Sequence, residues 1–127
     1  MDIEFVKRVT DLAVSVPCKD GEKIFSIGDN ANHFFVLLKG SVIMERGQDK
    51  WYTAKHPGEI FGWSALIHRG DYAASATAGI DTEILKIERN GFLALLNESP
   101  ENKAKLFEGL AQMLGEQLLE TYMSISC

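Results

Sequence analysis

Between residues 19 and 81 a turn signal recurs about every eight to twelve residues, and no other feature restricts the fold as strongly. The signals are Lys19-Asp20-Gly21, Gly28-Asp29-Asn30, Lys39-Gly40, Arg46-Gly47-Gln48-Asp49, Pro57-Gly58, Arg69-Gly70-Asp71 and Gly79-Ile80-Asp81. Glycine enters left-handed backbone without a steric penalty, and Asp, Asn and Pro stabilise tight turns by side-chain bonding or a fixed φ. Between the turns lie short runs, Ile24 to Ile27, Phe34 to Leu38, Val42 to Glu45, Trp51 to Ala54 and Ser75 to Ala78, with Val14 to Cys18 before the first turn and Thr82 to Ile87 after the last. Many short strands at this spacing predict a small barrel or jelly roll. Pro17 suits the first run to a sheet edge, where a missing N–H breaks no ladder bond.

The period changes at both ends. Ile3, Phe5, Val6, Val9, Leu12 and Ala13 recur at helical spacing and predict a short amphipathic helix. After Arg89, Asn90 to Leu96 reads as a short helix, and Ser99-Pro100-Glu101 as a helix start with proline in the first turn. Phe107, Leu110, Leu114, Leu118, Thr121/Tyr122 and Ile125 then mark one stripe of a helix about 25 residues long. That stripe either packs on the domain alone or also forms a homodimer, while Glu108, Glu116 and Glu120 make a solvated face. The expected fold is mainly β with flanking α-helices, a β-roll over about residues 14–88 and C-terminal helices over about 90–125, all in one domain spanning 1–127.

Composition narrows the function classes. The 127 residues are 46% hydrophobic and 24% charged, which suits a globular core and excludes disorder. A formal net charge of −5 opposes nonspecific nucleic-acid binding, which needs Lys and Arg to neutralise phosphates. No run reaches the ~18 apolar residues of a membrane span, and the N-terminus carries acids where a signal peptide needs an apolar region. Cys18 and Cys127 read as free thiols, and the chain as cytoplasmic.

The stretch Phe61 to Ala78 carries the candidate site. Gly62, Ser64, Ala65, Ala73, Ala74 and Ser75 are small enough to let an anion approach backbone amides. Together with Gly21-Glu22-Lys23-Ile24-Phe25, Gly28-Asp29, Ala31 to Leu37, Gly40-Ser41-Val42 and Pro57-Gly58-Glu59-Ile60-Phe61-Gly62, this stretch resembles the cyclic nucleotide-binding domain, with the match covering roughly residues 3–125. The resemblance is to the catabolite-activator-like and protein kinase A regulatory-like β-roll, in a bacterial-type stand-alone variant with FGWSAL in its phosphate-binding cassette. It implies a double-stranded β-helix, or jelly roll, and a non-catalytic sensory or regulatory module.

In ligand-binding members, the resemblance implies, a short helix offers its N-terminal amides to the cyclic phosphate, an Arg pairs with that phosphate, and a Glu accepts from the ribose 2′-hydroxyl. Carried over without a gap, the Glu position is Trp63 and the Arg position is Tyr72. Gly62, Ser64, Ala65, Leu66, Ala73 and Ala74 keep the family character. Hydrogen bonds to charged groups contribute about 1.5–3 kcal/mol each, so losing two weakens binding by roughly 10² to 10⁴. The pocket candidates are therefore Phe61, Gly62, Trp63, Ser64, Ala65, Leu66, Arg69, Tyr72, Ala73 and Ala74. Arg69 could swing toward a phosphate or remain a solvated loop charge. Trp63 and Tyr72 could form an aromatic wall for a flat ligand, or simply fill the vacated pocket. The ligand would be a cyclic nucleotide or another small anionic or aromatic molecule, bound weakly.

No catalytic or metal-binding residues are expected. His33, His56 and His68 form no close ligand pair, Ser64 lacks a G-x-S-x-G setting, and Cys18 follows Pro17 in a strand-like run. Catabolite-activator-like regulators place a DNA-reading helix-turn-helix after the long helix, whereas this sequence stops at Cys127; direct DNA binding is not expected. Output would then pass through a homodimer or an effector protein. The alternative is a structural module with no pocket ligand, acting through its C-terminal helix.

Overall fold

The computed structural model describes residues 2–47, 49–63, 70–107 and 111–126. Helix α1 (Ile3–Leu12) starts where the Asp2 carboxylate accepts from the Glu4 amide. Eight strands follow: β1 (Val14–Cys18), β2 (Lys23–Phe25), β3 (His33–Lys39), β4 (Val42–Arg46), β5 (Asp49–Ala54), β6 (Ile60–Phe61), β7 (Ser75–Ala78) and β8 (Thr82–Glu88). Helices α2 (Arg89–Asn97), α3 (Pro100–Phe107) and α4 (Ala111–Ser126) complete the described chain.

The strands form two antiparallel four-stranded sheets, ordered β1-β8-β3-β6 and β2-β7-β4-β5. The chain passes back and forth between them, giving the expected jelly roll with helices outside. β1 lies at an edge, as Pro17 requires. β2 ends earlier than expected because Ser26 enters a turn, its amide donating to Asp29 Oδ2 and its carbonyl accepting from the Asp29 amide. The two-residue β6 was not expected; it pairs Phe61 with Phe35 and Ile60 with Val36.

Two apolar layers follow from strand alternation. Phe25, Phe35, Leu37, Met44, Phe61 and Ile84 point between the sheets. Phe34, Val36, Leu85 and Ile87 point the other way, against Phe5, Val6 and Val9 of α1, Phe92 and Leu96 of α2, and Leu114 and Leu118 of α4. Both faces of β3 are thus covered, which is why Phe34 to Leu37 is an unbroken apolar run. Full burial of one such side chain contributes about 1.5–3 kcal/mol. On α4 the expected stripe is present at Leu114, Leu118 and Tyr122, with Glu116 and Glu120 exposed. The side chains of Phe107 and Ile125, and residues Glu108 and Leu110, lie outside the described parts. No described helix is long and apolar enough to cross a membrane.

α2 starts one residue before the expected Asn90. The Glu88 carboxylate accepts from the Asn90 and Gly91 amides, and these bonds hold it below its ordinary range. The Arg89 amide donates to the Asn32 carbonyl at 2.8 Å, tying this helix start to the loop after β2. That loop also holds the backbone of Tyr72, a residue of the site.

Candidate functional site

The two ends of the cassette approach each other at the rim of the inter-sheet core. From β6 the chain reaches Gly62 at φ +78°, where a Cβ would press on Phe35 Cδ2 at 3.3 Å and Tyr72 Cε1 at 3.4 Å. A side chain there would be both strained and crowded. This turn breaks the strand alternation. Phe61 faces inward, yet Trp63, two residues on, goes to the helix side and sits edge-on against Phe34 (5.1 Å) and Phe92 (5.5 Å).

Tyr72 takes the opposite direction. Its backbone is clamped to the loop after β2: the Gly28 amide donates to the Tyr72 carbonyl at 2.8 Å, and the Tyr72 amide donates to Asp29 O at 2.9 Å. Its ring stacks on Phe25 with centroids 3.8 Å apart and 14° between planes. Its hydroxyl donates to the His33 carbonyl at 2.6 Å, and the residue is 4% exposed. Burial, with Asp29 nearby, raises the phenol above its usual range. The two aromatics pack in different layers, Tyr72 between the sheets and Trp63 against the helix-facing core, and do not stack on one another.

A cavity of about 190 Å³ remains beside them, lined by Phe25, Met44, Tyr52, Ile60, Phe61, Gly62, Trp63, Tyr72, Ala73 and Ala74. Six of the sequence candidates are brought together here: Phe61, Gly62, Trp63, Tyr72, Ala73 and Ala74. Ser64, Ala65, Leu66 and Arg69 lie outside the described residues. Phe25, Met44, Tyr52 and Ile60 were missed. Met44 and Tyr52 are register partners across β4 and β5, and Val42 pairs with Ala54 on the same face. Alternation from the small buried Ala54 was the signal that could have found them. Every described lining residue is uncharged.

A carboxylate stands just behind this lining. The Tyr52 hydroxyl donates to Glu59 Oε1, and the Lys55 and His56 amides donate to Oε2 at 2.7 and 2.9 Å. Burial alone would raise the Glu59 pKa, but these bonds outweigh it and hold the group below its ordinary value of 4.5. A carboxylate depressed in the folded state adds stability above its unfolded pKa, and that stability is lost as pH falls through the folded value. Wild type should therefore be more stable than Glu59→Gln at pH 7, with the gap closing in denaturant titrations taken to pH 3. A gap independent of pH would contradict the charged bonding.

The same turn touches α4. The Gly58 amide donates to Leu37 O at 2.8 Å, and Gln112 Nε2 donates to Gly58 O at 3.1 Å. Gly115 of α4 lies so close that a Cβ would collide with the Gly58 carbonyl and sit 2.8 Å from Ile60 Cγ1. Gly115→Val should cost about 1–3 kcal/mol by overpacking, read as a lower urea midpoint. An unchanged midpoint would show that α4 does not rest on this turn.

Elsewhere, burial and then Lys86 lower the His33 pKa, opposed by Glu88. Burial, then the Glu22 charge, pushes the Cys18 thiol up. No three His, Cys, Asp or Glu side chains among the described residues are grouped to hold a metal ion. His68 and Cys127 lie outside those residues.

Comparison with known proteins agrees with this architecture. The model of the family described as "Cyclic nucleotide-binding domain" matches residues 15–99. A cyclic AMP receptor protein from Thermus thermophilus is 36% identical over 104 residues, covering 79% of this chain and 48% of the relative. A cAMP-dependent protein kinase regulatory subunit from Yarrowia lipolytica is 25% identical, covering 86% of this chain and 29% of its own. The chain thus spans half or less of these relatives' lengths. The crystal structure of the Thermus thermophilus catabolite activator protein superposes with a TM-score of 0.72 at 29% identity, covering 97% of this chain and 60% of that one. The turn-punctuated roll, its flanking helices and these likenesses agree, and the chain belongs to the cyclic nucleotide-binding domain family.

Proposed function

We propose that the chain is a non-catalytic sensory or regulatory module, a single domain whose refitted pocket takes a weakly bound or altered small-molecule ligand. The observation that carries this is Tyr72. At the position where ligand-binding members hold an arginine, its ring stacks on Phe25 and its proton goes to the His33 carbonyl. The pocket therefore keeps its walls and lacks a described cation for a phosphate.

The relatives are named for cyclic AMP, and that ligand class is the natural starting panel. Occupancy would act by favouring one arrangement of α4 against the roll, with self-association through α4 or an effector protein as the output. The Gly58, Gln112 and Gly115 contacts give α4 a direct seat on the pocket's wall.

Trp63 reports on this reading because it lines the cavity and packs on Phe92 of α2. In a Trp51→Phe background, its fluorescence is followed during titration with cyclic nucleotides and small aromatic compounds. Particle mass is measured by size exclusion in parallel. A saturable fluorescence change with a shift in mass or melting temperature supports a sensor. No response to any compound would sink it and favour a structural module.

A further inference from the structure

Among the described side chains that line the cavity, the two phenols set the hydrogen-bonding character by where they send their protons. A tyrosine hydroxyl has one proton to donate and lone pairs to accept with. Tyr52 donates to the Glu59 carboxylate, and Tyr72 donates to the His33 carbonyl. Both partners are acceptor-only groups, so neither bond can be reversed to free the proton. Each lining phenol can offer a ligand only an oxygen lone pair. A phosphate also only accepts, and would face lone pairs against lone pairs with the Glu59 charge behind them.

The shape agrees with this. Phe25 stacks on Tyr72 (14° between planes) and lies at 30° to Phe61, so the lining is rich in aromatic rings that suit an aromatic ligand. A volume of about 190 Å³ is below the roughly 300 Å³ at which pockets for drug-sized ligands begin. We propose that the cavity beside Tyr52 and Tyr72 binds a small, flat, non-anionic heteroaromatic that donates a hydrogen bond to a phenol oxygen. This rests on the pocket-ligand reading above.

Three probes of similar size separate the chemistries: indole, with an N–H; benzofuran, the same shape without a donor; and benzoate, a flat anion. Affinities are read from heteronuclear NMR shifts of the full chain, with cyclic AMP as a fourth arm. Indole should shift resonances of the lining residues and bind about three- to tenfold more tightly than benzofuran, the worth of one neutral hydrogen bond. Benzoate should be the weakest of the three flat probes. Tyr52 is 49% exposed, so Tyr52→Phe should fold, and it should reduce the indole preference over benzofuran. Equal binding of indole and benzofuran, or tighter binding of benzoate or cyclic AMP than indole, would overturn the donor assignment and leave a ligand-binding pocket standing. No shift with any of the four probes would overturn both.

Discussion

Phe34→Ala should lower folding stability by about 3–5 kcal/mol, the largest single-residue effect expected in this chain. Phe34 is fully buried and stands where three elements meet: β3, the cassette through Trp63, and α2 through Phe92, whose ring is 4.9 Å away and tilted by 72°. Removing the ring opens a cavity that these neighbours cannot all close, because each is held by its own backbone element. Urea unfolding of wild type and variant measures the change, and Trp63 emission in a Trp51→Phe background should shift with it. A loss under about 1 kcal/mol would mean that the helices do not rest on this ring.

The second large effect concerns ligand preference. Tyr72→Arg should tighten cyclic AMP binding by about 10- to 150-fold, the worth of one hydrogen bond to a charged group. The gain requires the guanidinium to reach the space now held by the Tyr72 ring, which lies against the cavity. Trp63→Glu should not add a comparable gain. Its side chain would follow Trp63 toward Phe34 and Phe92, where a carboxylate is poorly solvated, and stability should fall. Calorimetric titration of both variants checks the asymmetry. Equal gains from both would show that a carboxylate at residue 63 turns to the ligand and not toward Phe34 and Phe92.

That asymmetry marks where sequence reasoning reached its limit. β3 was legible because its apolar run and flanking turns admit few alternatives, and Pro17 placed β1 at an edge. β6 was not, since two residues carry no period; Ile60–Phe61 is a strand only because β3 is there to pair with it. The family resemblance assigned Trp63 and Tyr72 to the Glu and Arg positions, but their directions depend on Gly62 at φ +78° and on the clamp from Gly28 and Asp29 to Tyr72. Met44 and Tyr52 were missed because β5 enters the pocket through tertiary pairing with β4, and no motif marks it. The reach of the Glu59 turn to Gly115 is likewise a contact between distant segments, invisible to local pattern.

The most direct test of the proposed refitting of the pocket is an isothermal titration of the wild-type chain with cyclic AMP and cyclic GMP at physiological salt. On the proposed reading, in which Trp63 and Tyr72 replace both charged contacts, affinity should be weaker by roughly 10² to 10⁴ than in a pocket that keeps them, leaving Kd values no tighter than about 10⁻⁴ M. A dissociation constant of about 1 μM or below for either nucleotide would contradict the account, because the described walls supply no charge to hold the phosphate.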